Sequence, residues 1–336
     1  MQGKSGKRKL SDPVEQEVAI GRELSPEEKA LHEFQAAIKE NWDKPDELTM
    51  LIERGLDFGL AAEVLSAAEH LAKIDPNRER GVFILAVVQL NLEKVNAAQI
   101  TLATYLRDNS ETERLAVLRA SISVMRNQSE DAIRTLWKVL QGNPNSHEAL
   151  SGIVSIALEH GEKEASIKAL QRASLIKESW LPQLWLIKEY ILSDNFEECK
   201  PLLEQIAPKF EELPDILIAI SGELGRLGKR DEMIELLLPL YNVEKHAPLA
   251  GFNLLKALIQ AQKVGPAEKL LREVSRVHGQ TSQEIANVLA TYARHIEELK
   301  TALDPSRSSP LTADGKVKEI KSSFATSAIK FEAKAQ

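Results

Sequence analysis

An internal period of 34 residues constrains the fold of this chain more than any other feature. Two turn-like stretches, Asp75-Pro76-Asn77-Arg78 and Asn143-Pro144-Asn145-Ser146, place their prolines 68 residues apart, which is twice 34. Proline cannot continue an α-helix, and the residue before a proline avoids the α region. Each proline therefore marks the end of a helix at the same phase of a repeating unit.

Seven consecutive frames follow this period: 45–78, 79–112, 113–146, 147–179, 180–213, 214–247 and 248–281. Positions 20, 24 and 27 of each frame are largely small or apolar, and their spacing places them on one face of a helix. Positions 4, 7 and 8 repeat a looser apolar pattern in the first half of each frame. Position 15 is often Gly or Asn, residues that suit the left-handed end of a helix. Each frame therefore predicts a helix A, a short turn and a helix B.

The pattern resembles the tetratricopeptide repeat over residues 45–281. Pro76 and Pro144 stand at that family's proline position 32, and Tyr190 stands at its tyrosine position 11. Its alanine position 20 is filled by Ala98, Ala132 and Ala267. The chain departs from the family in lacking Trp at position 4 and Gly at position 8, and in placing Arg119, Gln183 and Gly251 at core positions. The resemblance implies an all-α, right-handed α-α superhelix of about seven helix pairs.

Further helices are predicted on both sides of the frames. Ser25-Pro26-Glu27-Glu28 is a helix start, with Ser at the N-cap, Pro at the first helical position and Glu at the third. We expect capping helices over 25–42 and 282–303, because the ends of a repeat stack would otherwise expose core. Flexible tails are expected over 1–24, which begins with a basic cluster, and over 304–336, which begins with linker-like residues.

Composition narrows the class of function. The formal charge is −7, and −10 remains on the folded body after the basic tails are set aside, which disfavours nucleic-acid binding. A partner with basic rims would associate faster with such a surface. The sequence contains no run of about 18 apolar residues and no apolar stretch after the basic N-terminus. We therefore expect a cytoplasmic protein without a membrane segment.

The residues that carry enzyme chemistry are not arranged for it in this sequence. The glycine-rich stretch from Gly222 to Lys229 has the wrong spacing for a phosphate-binding loop, and Gly228 fits the turn between two helices instead. The seven histidines show no metal-ligand spacing, and Cys199 falls at the small core position 20. We expect no catalytic residue, no cofactor and no metal, and therefore a protein that is not an enzyme.

The resemblance implies a concave surface lined by positions 2, 5, 9 and 12 of the A helices. In frame order the candidate groove residues are Phe83, Val87, Leu90, Arg114, Val117, Ser121, Val124, Leu181, Leu184, Lys188, Ile191, Asp215, Ile218, Phe252, Lys256 and Ile259. No frame has the Lys at position 5 with Asn at 9 that the family uses to clamp a C-terminal carboxylate.

The set is mostly apolar, which favours a protein or peptide partner that supplies an amphipathic helix or an extended apolar segment. Truncation of Phe83 or Phe252 to Ala is then expected to weaken binding while the fold survives. The function predicted is an interaction scaffold or adaptor. Two alternatives stay open, an RNA-binding helical repeat and a self-associating subunit or homo-oligomer.

Overall fold

The computed structural model describes residues 25–159 and 163–303, and the predicted tails over 1–24 and 304–336 lie outside this range. The described residues form sixteen α-helices and no β-strand. Their contacts divide the chain into two compact units, unit 1 (Met1–Leu136) and unit 2 (Trp137–Gln336). The prediction of an all-α chain built from helix pairs, with one further helix before them and one after, is confirmed.

Unit 1 begins with a helix that starts as the sequence predicts. Ser25 caps it in a capping box, in which the Ser25 side chain accepts from the Glu28 N–H and Glu28 accepts from the Ser25 N–H. The helices are α1 (Pro26–Glu40), α2 (Pro45–Asp57), α3 (Ala61–Ile74), α4 (Arg78–Asn91), α5 (Val95–Leu106), α6 (Glu113–Met125) and α7 (Ser129–Gly142), which contains the boundary between the units.

Unit 2 continues the alternation. Its helices are α8 (His147–Glu159), α9 (Lys163–Ser174), α10 (Leu181–Leu192), α11 (Phe196–Ile206) with a 3₁₀ turn (Ala207–Lys209), α12 (Pro214–Arg226), α13 (Arg230–Leu237), α14 (Pro248–Gln260), α15 (Val264–His278) and α16 (Gln283–Leu303). Even-numbered helices from α2 to α14 are the A helices of the seven frames, and odd-numbered helices from α3 to α15 are the B helices. None of the helices within the described ranges has both the length and the apolar character needed to cross a membrane.

The small side chains of the B helices form the centre of each helix pair. Position 20 is buried in every frame, through Val64, Ala98, Ala132, Ser166, Cys199, Met233 and Ala267. Position 24 is buried in the first six frames, through Ala68, Leu102, Leu136, Leu170, Leu203 and Leu237. Because a small residue allows two helix backbones to approach, the residue at position 20 sets how closely helix B packs on its neighbours.

The turn between helix A and helix B has one backbone geometry throughout. Position 15 has a positive φ between 56° and 73° in Gly59, Glu93, Asn127, Asp194, Gly228 and Gln262; the seventh residue of this column, Gly161, lies outside the described residues. The next N–H bonds to the carbonyl five residues back at 2.8–2.9 Å in all six turns. This is the Schellman bond that ends a helix at a left-handed residue. The backbone conformation therefore repeats with the same period even where position 15 is Glu or Gln.

Arg119, at a core position of frame 3, is accommodated by a charged neighbour. Its guanidinium donates two hydrogen bonds to the Glu111 carboxylate, at 2.6 and 2.9 Å, and a third to Thr135 Oγ1 at 3.1 Å. These bonds raise the pKa of Arg119, although partial burial opposes them. The guanidinium is thereby paired while the side chain stays partly exposed, at 42%.

The other two departures from the repeat pattern also have local explanations. Gln183 is buried and donates to the Gln205 side chain at 3.0 Å. Gly251 leaves room for Tyr241, since a Cβ at this position would lie 2.5 Å from the Tyr241 hydroxyl oxygen. Both positions are satisfied by partners outside helix A of their own frame.

A buried carboxylate joins the first two frames. Asp75 is 1% exposed, and Arg80 holds it with two hydrogen bonds of 2.7 and 3.0 Å. Burial alone would raise the pKa of Asp75, but hydrogen bonds from Arg80 and the Asn77 N–H outweigh it and leave the pKa below its usual value. The same guanidinium reaches Asp46, 34 residues earlier, at 2.6 Å. One side chain thus orders the turn between frames and links the frames themselves.

Substitution of the turn glycine tests the left-handed geometry. We expect Gly228→Ala to lower the free energy of unfolding by about 1 kcal/mol, because a Cβ disfavours positive φ. Open space surrounds this glycine, so no clash contributes. Gly222→Ala is the matched control, since Gly222 lies inside α12 with equally open space, and there Ala should stabilise by about 0.5–1 kcal/mol. Urea unfolding of both variants measures the difference, and equal signs would contradict the assignment.

Acid should destabilise unit 2 through His246. This buried imidazole accepts a hydrogen bond from the Asn242 N–H at 3.0 Å through Nδ1, and it packs edge-on against Phe210. Burial lowers the pKa of His246; Glu211 opposes the shift, and Lys245 adds to it. Because the folded pKa is depressed, the contribution of the neutral ring is present above the unfolded pKa of about 6.5 and is lost as the pH falls below it.

We therefore expect His246→Asn, which retains an acceptor but does not titrate, to lose less stability than the wild type between neutral pH and the acid side of that pKa. Urea unfolding at a series of pH values measures this loss. His32→Asn, on the exposed face of α1, is the control. A variant as acid-sensitive as the wild type would show that other groups cause the loss.

Candidate functional site

In unit 1 the candidate residues on α4 lie over a packed apolar cluster. Phe83, Val87 and Leu90 are partly buried and contact a cluster formed by Ala86, Ala98, Leu102, Leu115, Leu118 and Ile122. Their spacing of four and three residues places them on one side of the helix. The exposed part of each side chain is therefore held on a rigid base.

The candidate residues on α6, which packs against α4, continue this surface. Val117 and Val124 are partly buried, while Ser121 is exposed and donates to the Val117 carbonyl at 3.2 Å. The guanidinium of Arg114 lies 3.6 Å from the centre of the Phe83 ring. This cation–π contact holds an exposed cation beside the apolar residues. We call the surface formed by Phe83, Val87, Leu90, Val117 and Val124 the unit 1 face.

In unit 2 the candidate residues divide into an accessible and a buried group. Leu184, Ile218 and Lys256 are partly buried, and Lys188 and Asp215 are exposed. Four others are core residues: Leu181 is 7% exposed, Ile191 1%, Phe252 5% and Ile259 1%. The prediction that these four line an open groove therefore does not hold, because their side chains have no free surface.

The C-terminal helix explains the burial of Phe252. Helix α16 packs against both α14 and α15. The Tyr292 ring lies 6.1 Å from that of Phe252, centre to centre, and the Tyr292 hydroxyl donates to the Phe252 carbonyl at 3.2 Å. The frame pattern could not reveal this cover, since α16 lies outside the seven frames. In the sequence, the sign of this cover is Tyr292, an apolar residue of α16.

Cys199 is a buried and unreactive thiol. It is fully buried, and its Sγ lies 3.8 Å from the Ile187 carbonyl oxygen. Burial, together with the nearby Glu198, raises the pKa of the thiol to about 12. A thiolate is the reactive form, so this residue offers no nucleophile at neutral pH. Among the described residues no three His, Cys, Asp or Glu side chains come together as a metal site.

An open polar cleft of about 560 Å³ lies between the α12–α13 turn and the α14–α15 turn. Three of its four charged lining residues, Lys229, Arg230 and Asp231, are already engaged. Arg230 donates to Gln260 at 2.8 Å, Lys263 pairs with Asp231 at 3.1 Å, and Lys229 pairs with Asp194. The cleft therefore lies between two frames and offers little unpaired charge to a ligand.

No protein-family model matches this sequence, and no curated protein matches it either. Several solved structures resemble its fold. A tetratricopeptide repeat protein from Parabacteroides merdae is 13% identical, with 74% of this chain and 98% of that chain covered and a TM-score of 0.32. The APC/C hetero-tetramer Cut9-Hcn1 is 15% identical over 86% of this chain and 58% of its own, with a TM-score of 0.35. IFIT1 with Gppp-AAAA is 16% identical over 81% and 67%, with a TM-score of 0.35.

The burial of Phe252 gives a direct stability test. We expect Phe252→Ala to lower the free energy of unfolding by about 3–5 kcal/mol, because it removes a buried ring and leaves a cavity. Lys188→Ala, on the exposed side of α10, should change it by less than about 0.5 kcal/mol. Chemical denaturation measures both, and a Phe252→Ala variant as stable as the wild type would mean that the ring is not packed.

Proposed function

We propose that this chain is a non-enzymatic interaction protein that binds a segment of another polypeptide on the unit 1 face. The observation that carries the proposal is the pair of apolar rows on neighbouring helices α4 and α6, partly exposed above a buried cluster and bordered by Arg114. When a partner covers this surface, its remaining apolar area leaves water, and that burial favours binding. The segment that fits is an amphipathic helix or an extended apolar strand.

The polar border of the unit 1 face supports recognition of a polypeptide. Arg114 is exposed, and its planar head group is already oriented by the Phe83 ring. A guanidinium held in this way donates to a backbone carbonyl or a carboxylate with little further loss of side-chain freedom. Aromatic and arginine side chains together are the usual centre of binding energy at protein interfaces.

The opposite type of surface occurs on the B helices of the same unit. Exposed residues of α3, and of α7 up to the unit boundary, are mainly charged, through Glu63, Glu69, Lys73, Glu130, Asp131 and Arg134. Surfaces of that kind remain hydrated, since burying an unpaired charge is costly. The contrast of α3 and α7 with the apolar rows on α4 and α6 favours the A-helix side as the binding side.

A charge placed in the apolar rows should weaken binding. We expect Val117→Glu to weaken the interaction about tenfold or more, because the new carboxylate would have to be desolvated on contact. Peptides selected on the wild-type protein from a displayed random library of about 16 residues, long enough for four helical turns, serve as the probe. Fluorescence anisotropy measures their affinity.

Ile100→Glu is the matched control, since Ile100 is 67% exposed on helix α5. Thermal unfolding followed by circular dichroism checks that both variants fold. Equal weakening by the two substitutions, or none by Val117→Glu, would argue against the unit 1 face.

A further inference from the structure

Position 9 of the A helices in unit 2 carries Lys188, Gly222 and Lys256 on three successive helices. Helix α10 packs against α12, and α12 packs against α14. The Asn253 side chain ties the latter two by donating to Ser221 Oγ at 2.9 Å, next to Gly222. The two lysines therefore flank a glycine on one side of the unit, and we call Leu184, Lys188, Ile218, Gly222 and Lys256 the lysine strip.

Neither lysine of the strip forms an ion pair with any residue that the structure describes. Many other lysines of unit 2 do, at Lys163, Lys168, Lys209, Lys229, Lys245, Lys263 and Lys300. Carboxylates are plentiful, since residues 137–303 contain 19 Lys and Arg against 23 Asp and Glu. The free lysines are therefore not explained by a shortage of acidic partners.

Glu223 is already neutralised by Arg226, which lowers the pKa of its carboxylate with a smaller contribution from Lys188. Its carboxylate accepts two hydrogen bonds from Arg226, at 3.1 and 2.5 Å. These bonds lower the pKa of Glu223, and the charge of Lys188 contributes to the same shift. Lys188 thus keeps its donors available on the solvent side.

The centre of the strip is bare helix backbone. A Cβ added at Gly222 would meet no atom within 4 Å, and one at Gly225 would meet only the end of Met233 at 3.5 Å. Leu184 and Ile218, one turn earlier, add partly exposed apolar surface along one edge. A glycine on an exposed helix face reduces helix stability, yet it lets another backbone approach closely.

We propose that the lysine strip binds an extended acidic segment of a partner protein through its internal carboxylates. The partner's main chain crosses the helix surface at Gly222 while its Asp or Glu side chains reach the two lysines. Neighbouring packed helices are about 8–10 Å apart, so the lysines are roughly 16–20 Å apart and an extended chain spans them in about 5–6 residues. This inference rests on the proposed function in taking a polypeptide as the partner, and it adds a second contact with its own chemistry.

The experiment uses the full chain and a displayed library of random peptides of about 12 residues, longer than the span of the strip. We expect the selected peptides to be enriched in Asp and Glu relative to the unselected library. Lys188→Gln/Lys256→Gln should weaken their binding about tenfold, and Lys188→Glu/Lys256→Glu should weaken it further. Lys269→Glu, an exposed lysine on α15, is the charge control.

The Gly222→Leu variant tests whether peptide binding can be blocked at the strip without unfolding the protein. It should block the strip while leaving the thermal stability equal or higher, because Leu favours helix more than Gly does. Gly265→Leu is the matched control, as it also has no atom within 4 Å of an added Cβ but lies on α15.

Three results would overturn the inference. The lysine strip would be ruled out as a binding site if the selected peptides had no acidic excess, or if Val117→Glu weakened their binding and the lysine variants did not. Either result would leave the proposed function unaffected. If a labelled single-stranded RNA bound in a lysine-dependent manner and displaced the peptides, the ligand of the strip would be a nucleic acid and not an acidic segment. Failure to select any binding peptide would overturn the inference and the proposed function together.

Discussion

Close packing at one small side chain per repeat is the constraint on which the rest of this structure depends. Position 20 of helix B is buried in every frame, and its largest occupant is Met233. Because position 20 is buried among packed helices, a bulky residue there would push them apart. The Schellman turn at position 15 serves the same geometry, since it returns the chain as helix B immediately after helix A.

This packing determines which surfaces remain available for binding. Within each unit the A helices pack against B helices and against one another, and several residues at positions 5 and 9 stay only partly covered. On α4 of unit 1 those residues are Phe83 and Val87, which are apolar and lie on a buried cluster. In unit 2 helix α16 covers the corresponding Phe252, and the accessible positions there are Lys188, Gly222 and Lys256. The two units thus present different chemistry at equivalent repeat positions.

The sequence predicts the architecture well because the period can be read many times. The apolar columns at positions 20 and 24 correspond to buried residues, and the register places a left-handed turn at Glu93 and Gln262, whose residue types alone would not predict one. The surface is predicted less well. Whether Ile259 is exposed depends on tertiary cover, and whether Lys256 is paired depends on the neighbouring frame, and neither follows from local periodicity.

The charged residues of unit 2 separate into those that join frames and those that do not. Lys245 pairs with Glu211 34 residues earlier, Arg276 pairs with Glu244, and Lys300 pairs with Glu268. Each such surface pair contributes only about 0–1 kcal/mol, but pairs between successive frames occur several times and together favour one alignment of the helices. Lys188 and Lys256 take no part in these links, and a helix stack gains nothing from Gly222 between them. An exposed glycine inside a helix costs stability, and the two lysines beside it join no frames, so a role in recognition explains the strip better than a role in folding.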